Sequence, residues 1–189
     1  MNSFRKRLVP FFKTYRRVEL SNSRLIRAGV LVVVFEKQGE PHFLLTKRTN
    51  DVEHHKGQIS FPGGAVDPGD RDMVATALRE TEEEIGLKAD SIEVLGLLDD
   101  IEIPTGFVVT PVLGLMNDVP SITLNRSEVE SVLEVPLSFF RDTDNRKVVK
   151  MMRGGELRDV YFFNYGEFQI WGATASIINS FLRELALIP

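Results

Sequence analysis

The stretch from Gly63 to Leu87 reads GGAVDPGDRDMVATALRETEEEIGL, and its second half decides how the chain folds. If residues 71–85 form a helix, successive side chains turn by about 100°. Val74, Ala77, Leu78, Thr81 and Ile85 then share one narrow stripe, the face to be buried. Glu80, Glu83 and Glu84 gather on another side at i, i+3 and i+4, while Glu82 points elsewhere. Three convergent carboxylates repel one another unless a cation sits among them, and oxygen-only ligands suit Mg²⁺ or Mn²⁺. A Glu-rich helix face is more often simply solvated. Here, however, the helix follows a tight Phe61-Pro62-Gly63-Gly64 turn and is stopped by Gly86, a natural residue after a helix end. A glycine turn and a carboxylate face in one loop–helix unit point to a built site.

The same segment resembles the box of the Nudix hydrolases, G-x5-E-x7-R-E-U-x-E-E-x-G-U with U apolar. Arg79, Glu80, Glu83, Glu84, Gly86 and Leu87 match position by position, with Thr81 at an aliphatic position. Fourteen residues separate Gly64 from Arg79, one more than in the general pattern, and Asp67 and Asp70 take the acidic positions. That longer spacing is similar to the coenzyme A pyrophosphatase branch. The branch carries L-L-T-x-R-[SA]-x3-R-x3-G-x3-F-P-G-G ahead of the box. Leu44-Leu45-Thr46, Arg48, Gly57 and Phe61–Gly64 stand in that register; Thr49 replaces Ser or Ala, and Glu53 replaces Arg. Further on, Glu128-Val129 before Val135-Pro136-Leu137, and Ile170–Ala175, resemble later signatures of the branch. The likeness covers roughly residues 25 to 185. It implies an α/β Nudix fold, a mixed β-sheet sandwiched between α-helices.

Composition narrows the class. A chain of 189 residues suffices for one domain with a proper core, and no apolar run is long enough for a transmembrane segment. Cysteine is absent, which excludes disulfides, thiolate metal sites and a cysteine nucleophile, and fits a cytoplasmic protein. Three histidines, at 42, 54 and 55, make a histidine metal cage improbable. Residues 1–27 form a basic arm of net charge +7, whereas 28–189, the single Nudix domain of the resemblance, carry −11. Phe4, Leu8, Phe11, Phe12 and Tyr15 recur in the arm at helical spacing. Such a helix suits a membrane surface or nucleic acid. The plainer expectation is a surface helix whose apolar side packs on or beside the domain. No nucleic-acid partner is expected, because the rest of the chain is acidic. The charges interrupting the arm speak against a secretory signal.

Along the chain, Ala28–Phe35 reads as a buried central strand and His42–Lys47 as a second. Residues 50–60 read as a loop, Ile92–Leu98 and Phe107–Leu115 as strands, and Ser127–Val132 as a short helix. Arg146–Met152 and Leu157–Tyr165 suggest a strand pair turned at Gly154-Gly155. Thr174–Leu187 suggests an amphipathic helix burying Ile177, Ile178, Phe181, Leu182 and Leu185.

The resemblance implies hydrolysis of a pyrophosphate linkage, with Glu80, Glu83 and Glu84 as metal ligands. Arg79 is expected to orient loop and glutamates by pairing with an acid such as Asp70. Backbone at Gly63 and Gly64 can approach a phosphate or metal closely, since no Cβ intervenes. The general base is open between Glu83 and Glu128; Glu128 equally suits the acidic start of a helix. Asp99, Asp100 and Glu102 are a lesser acidic cluster. Arg48 and Lys56, flanking the glycine turn, are the substrate-phosphate candidates. One of His54 and His55 could bond a base or ribose. Trp171 could stack on adenine, though a lone Trp is more often core.

Three functions follow. The leading one cleaves coenzyme A or a derivative to 3′,5′-ADP and 4′-phosphopantetheine or its acyl form. The second keeps the chemistry on a nucleoside triphosphate, ADP-ribose, NADH or a dinucleotide, because Glu53 reverses a charge. The third is a silent nucleotide- or protein-binding module, against which the intact carboxylate set argues. A homodimer is the assembly common in the resembling family.

Overall fold

The computed structural model describes residues 2–22, 24–49, 57–117, 121–153 and 155–188. Its centre is β1 (Ile26–Lys37), whose ten-pair parallel ladder with β7 (Phe107–Met116) runs from Ile26–Phe107 to Phe35–Met116. On its other side β1 pairs antiparallel with β2 (Glu40–Arg48) and β4 (Gly63–Ala65). β3 (Ile59–Ser60) and β8 (Val129–Pro136) extend from β2, while β5 (Glu93–Leu97) and β6 (Ile101–Ile103) border β7, completing eight strands. Alternation along β1 explains its unbroken apolar run. Val32 and Val34 enter one core, and Leu31, Val33 and Phe35 enter the other. A strand covered on both faces has no polar side to show.

The second of these cores lies under α2 (Met73–Ile85), which contributes Ala77 and Ile85. The expected start at 71 moves to Met73 because Asp72 is the N-cap, accepting from Ala75 N at 2.8 Å. Gly86, at φ 70°, closes the helix by donating its N–H to Glu82 O. Of the expected stripe, Ala77, Thr81 and Ile85 are buried; Val74 and Leu78 sit at the core's margin.

The other core is roofed by α1 (Asn2–Thr14) and α4 (Gly172–Glu184), with α3 (Leu137–Arg141) at its side. Leu8 is fully buried, and Phe4, Phe11, Phe12 and Tyr15 pack against the same core. Tyr15 Oη donates to Asp99 Oδ1 at 2.6 Å, and burial together with that bond raises the phenol's pKa. Asp100, its side chain wholly buried, meets Arg17 at 3.1 Å and Arg27 at 3.2 Å. The acidic cluster of the sequence is therefore largely engaged by residues 15–27. All five apolar residues expected inside the last helix are buried.

A second sheet joins β9 (Arg146–Arg153), β10 (Glu156–Tyr165) and β11 (Phe168–Trp171) antiparallel. Trp171 corrects its core expectation: it is 37% exposed and stacks flat on Phe162 at 6.0 Å. A second correction concerns Ser127–Val132. Instead of a helix there is a tight turn, Glu128 N and Val129 N both donating to Asn125 O, and then β8. Val129, Leu133 and Val135 are buried at even separations along β8, and Leu133 and Val135 flank the less buried Glu134 in the alternation of a strand. The expected loop at 50–60 also yields β3 at its end; residues 50–56 lie outside those described. Among the described residues no helix is long and apolar enough to cross a membrane.

Candidate active site

The glycine turn and α2 are built against each other atom by atom. β4 lies on β1 in the register Val30–Gly63, Gly29–Gly64, Ala28–Ala65. A Cβ at Gly63, where φ is 149°, would fall 2.3 Å from Gly29 O. A Cβ at Gly64 would fall 2.5 Å from the Glu80 carboxyl. Gly63 lets two strands lie closer than any side chain would allow, and Gly64 leaves room for the Glu80 carboxyl.

The three box glutamates sit at graded depth. Glu84 is 2% exposed, Glu80 18% and Glu83 55% at the side chain. Glu84 accepts from Arg48 Nη1 at 2.9 Å and from Gly63 N at 3.3 Å. Burial nevertheless pushes its pKa up to about 7, with the Glu80 and Glu128 charges adding to the rise against Arg48 and the Gly63 N–H. Glu80 is raised for the same first reason, burial, opposed by Arg79 and assisted by Glu83 and Glu128. Burial thus outweighs the one guanidinium that each of these carboxylates meets, Arg48 at Glu84 and Arg79 at Glu80.

Arg79, midway along α2, spans the loop before the helix and the carboxylates on it. Nε and Nη2 grip Asp70 at 3.0 and 2.9 Å, and Nη2 also donates to Ala65 O at 3.2 Å. Nη1 reaches Glu80 at 2.9 Å and Glu83 at 3.0 Å. Asp70 further accepts from Asp67 N and Thr76 Oγ1, both at 2.9 Å. These donors, Arg79 foremost, hold the Asp70 carboxyl well below the usual range. Loop 65–70 is thereby clasped to the helix bearing the carboxylates.

Arg48, which reaches Glu84, stands where the pairing of β2 with β8 shifts register in the manner of a β-bulge, between Lys47 and Arg48. Such bulges re-aim side chains beside functional sites. Glu128 is the turn residue just before β8, its carbonyl accepting from Thr49 N at 2.8 Å. The structure thus gathers Glu80, Glu83, Glu84, Arg79, Arg48, Gly63, Gly64 and Glu128. It does not bring Asp99 or Asp100 to them. Lys56, Glu53, His54 and His55 lie outside the described residues. Two participants escaped the sequence reading. Thr174 donates to Ile59 O at 3.1 Å, bracing β3 just ahead of the glycine turn. Asn125 contacts Glu128 at 3.1 Å. The signal for the latter was present, since Asn two residues before Ser marks a side-chain-closed turn.

A family model of the NUDIX domain matches residues 25–173. The chain is a Nudix hydrolase. It is 38% identical over 158 residues to the uncharacterized Nudix hydrolase NudL of Photorhabdus laumondii, covering 84% of each chain. Against NudL of Citrobacter koseri the identity is 39% over 161 residues, 85% of this chain and 81% of that one. Among solved structures, the Nudix hydrolase RenU of M. smegmatis superposes with a TM-score of 0.60 at 19% identity, covering 87% of this chain and 88% of its own. A Nudix hydrolase from Alicyclobacillus acidocaldarius gives 0.57 at 19% identity, covering 88% and 97%. At those identities the likeness is one of fold.

Nudix hydrolases work with divalent metal, and the donor set of this one suits such an ion in kind: the carboxylate oxygens of Glu80, Glu83 and Glu84 on one helix. Among the described residues no three acidic or histidine side chains stand close enough to enclose an ion as placed. Arg79 and Arg48 hold the glutamates instead.

Proposed function

We propose that this Nudix hydrolase cleaves the pyrophosphate bond of coenzyme A or a CoA derivative, releasing 3′,5′-ADP and 4′-phosphopantetheine or its acyl form. The observation that carries the reading is the junction of the Phe61–Gly64 turn with the box, where Gly63 N and Arg48 Nη1 both meet Glu84. Arg48 and that turn both belong to the branch motif, and their shared contact with Glu84 supports the reading.

In this reading Glu80, Glu83 and Glu84 hold Mg²⁺ or Mn²⁺. The bound ion would neutralise diphosphate charge and make water a stronger nucleophile at neutral pH. Arg79 keeps loop 65–70 and the helix in one arrangement, so that the glutamates are placed before substrate arrives. Arg48, on the rim of the glycine turn, and Lys56 are the cationic side chains proposed for the substrate phosphates. Glu83, half-exposed, and Glu128 are the two candidates for taking a proton from attacking water. The cysteine-free composition suits a cytoplasmic enzyme.

The test is a mass-spectrometric product assay on coenzyme A with Mg²⁺ or Mn²⁺ and an EDTA control, beside ADP-ribose, NADH and a nucleoside triphosphate. Metal-dependent release of 3′,5′-ADP, faster than turnover of the others, is the expected result. Glu83→Gln and Glu84→Gln should each lower kcat by about 10²-fold or more while the circular dichroism spectrum is kept. Full rates in both would overturn the metal assignment. A second reading has its own observation: Glu53 stands where the branch carries Arg. Turnover of another nucleoside diphosphate derivative without cleavage of coenzyme A would establish it.

A further inference from the structure

The segment from Ser121 to Glu128 is locked onto the end of α2. Thr123 N donates to Ile85 O and Asn125 N to Glu84 O, both at 2.9 Å. Those carbonyls belong to the last turn of α2, where no later helical N–H remains to satisfy them. Ile122 and Leu124 meanwhile pack against the core beneath the helix. The segment is therefore held in register with Glu84, by main chain and by burial.

Asn125 occupies the pivotal place. Its carbonyl accepts from Glu128 N at 3.0 Å and Val129 N at 2.9 Å, closing the turn. Its Oδ1 accepts from Ser127 N at 3.2 Å and Ser127 Oγ at 2.6 Å. A backbone N–H can only donate, so Ser127 settles which way the side-chain amide faces. Nδ2 is left for Glu128 Oε1, at 3.1 Å. One residue thus ties the backbone of Glu84 to the carboxylate of Glu128, and the Glu128 charge reaches both Glu80 and Glu84.

The geometry points to Asn125 as a positioning residue that presents Glu128 to the metal box. It acts through Glu128 and does not touch substrate. This rests on the reading of Glu80, Glu83 and Glu84 as metal ligands. Aspartate at 125 would keep the acceptor for Ser127 and the turn, but would set a like charge against Glu128. Alanine would lose both contacts.

The experiment compares wild type, Asn125→Asp, Asn125→Ala, Glu128→Gln and the double variant Asn125→Ala/Glu128→Gln. Steady-state kinetics on the best diphosphate substrate are paired with Mn²⁺ titrations followed by the electron paramagnetic resonance signal of the free ion. Asn125→Ala and Asn125→Asp should lower kcat about tenfold or more with KM within about twofold, and Asn125→Ala and Glu128→Gln should weaken Mn²⁺ binding by about tenfold. The double variant should be no worse than Glu128→Gln, because the two groups act as one unit. Losses that multiply in the double variant overturn the proposal. So does a fully active Asn125→Asp beside an inactive Asn125→Ala, which would mean that only the turn matters, and so does a Glu128→Gln variant with wild-type rate and Mn²⁺ affinity. Failure of the hydrolase reading would show separately, as wild type that releases no product from any diphosphate; the Mn²⁺ titrations would still decide the role of Asn125.

Discussion

Gly64 shows how much a single hydrogen atom can carry. Its backbone conformation is open to any residue, so the constraint is only the Glu80 carboxyl, 2.5 Å from where a Cβ would stand. Gly64→Ala should therefore fold with a modest penalty, about 1–3 kcal/mol by urea titration, yet lose kcat on the order of 100-fold through a displaced Glu80. A variant that keeps its rate would show that Glu80 need not lie against the turn. Asp70 illustrates the opposite case, a residue whose charge serves stability. Its folded pKa is depressed by Arg79, so the stabilisation is complete above the unfolded value of about 4 and is lost as pH falls below it. Asp70→Asn should be less stable than wild type at pH 7 and should show a flatter decline in unfolding free energy below about pH 4. Parallel declines in the two proteins would remove Asp70 from the acid response. The Arg79–Asp70 clasp was legible in the sequence from charge and spacing. Burial of Glu84 was not, because helical periodicity places a residue on a face and leaves open what roof covers that face.

At the scale of elements, α2, the central strands and α4 were legible because their apolar periods are strong and long. The turn at 125–128 was misread for a local reason. Asn, Ser and Glu serve equally at helix starts and in side-chain-closed turns, and only the later alternation of Leu133 and Val135 separates the two. α1 raises a different matter: what holds a charged helix to an acidic body. Phe12 lies so close to Gly96 that a Cβ there would be 2.5 Å from the ring, at the irregularity where β5 slips on β7. Arg7 reaches Leu185 O at 2.6 Å, and Arg5 pairs with Glu93. Gly96→Ala should lift α1, raising hydrogen exchange at the amides of residues 4–9 and 11–14 while those of β1 and β7 stay protected. Unchanged exchange in α1 would mean that Phe12 simply turns aside.

For the whole molecule, the metal and the fold are linked. An ion that binds only the folded chain at about 100 times its Kd adds about 2.7 kcal/mol, which for a protein of this size is roughly 5–10 °C in Tm. Adding Mn²⁺ should produce that shift, EDTA should reverse it, and Glu84→Gln should abolish most of it. An equal shift in that variant would place the ion elsewhere. The sheet has one more consequence, for the order in which the protein comes into being. Every pair in the β1–β7 ladder joins residues 81 positions apart. At synthesis rates of about 5–20 residues per second, the first partner waits roughly 4–16 seconds for the second to be made. During that interval the hairpin of β1 and β2 can zip locally, while Leu31 and Val33 have no lid until α2 is made. The nascent chain thus carries an adhesive apolar stretch uncovered for the seconds before α2 and β7 follow, and a molecular chaperone would find it there.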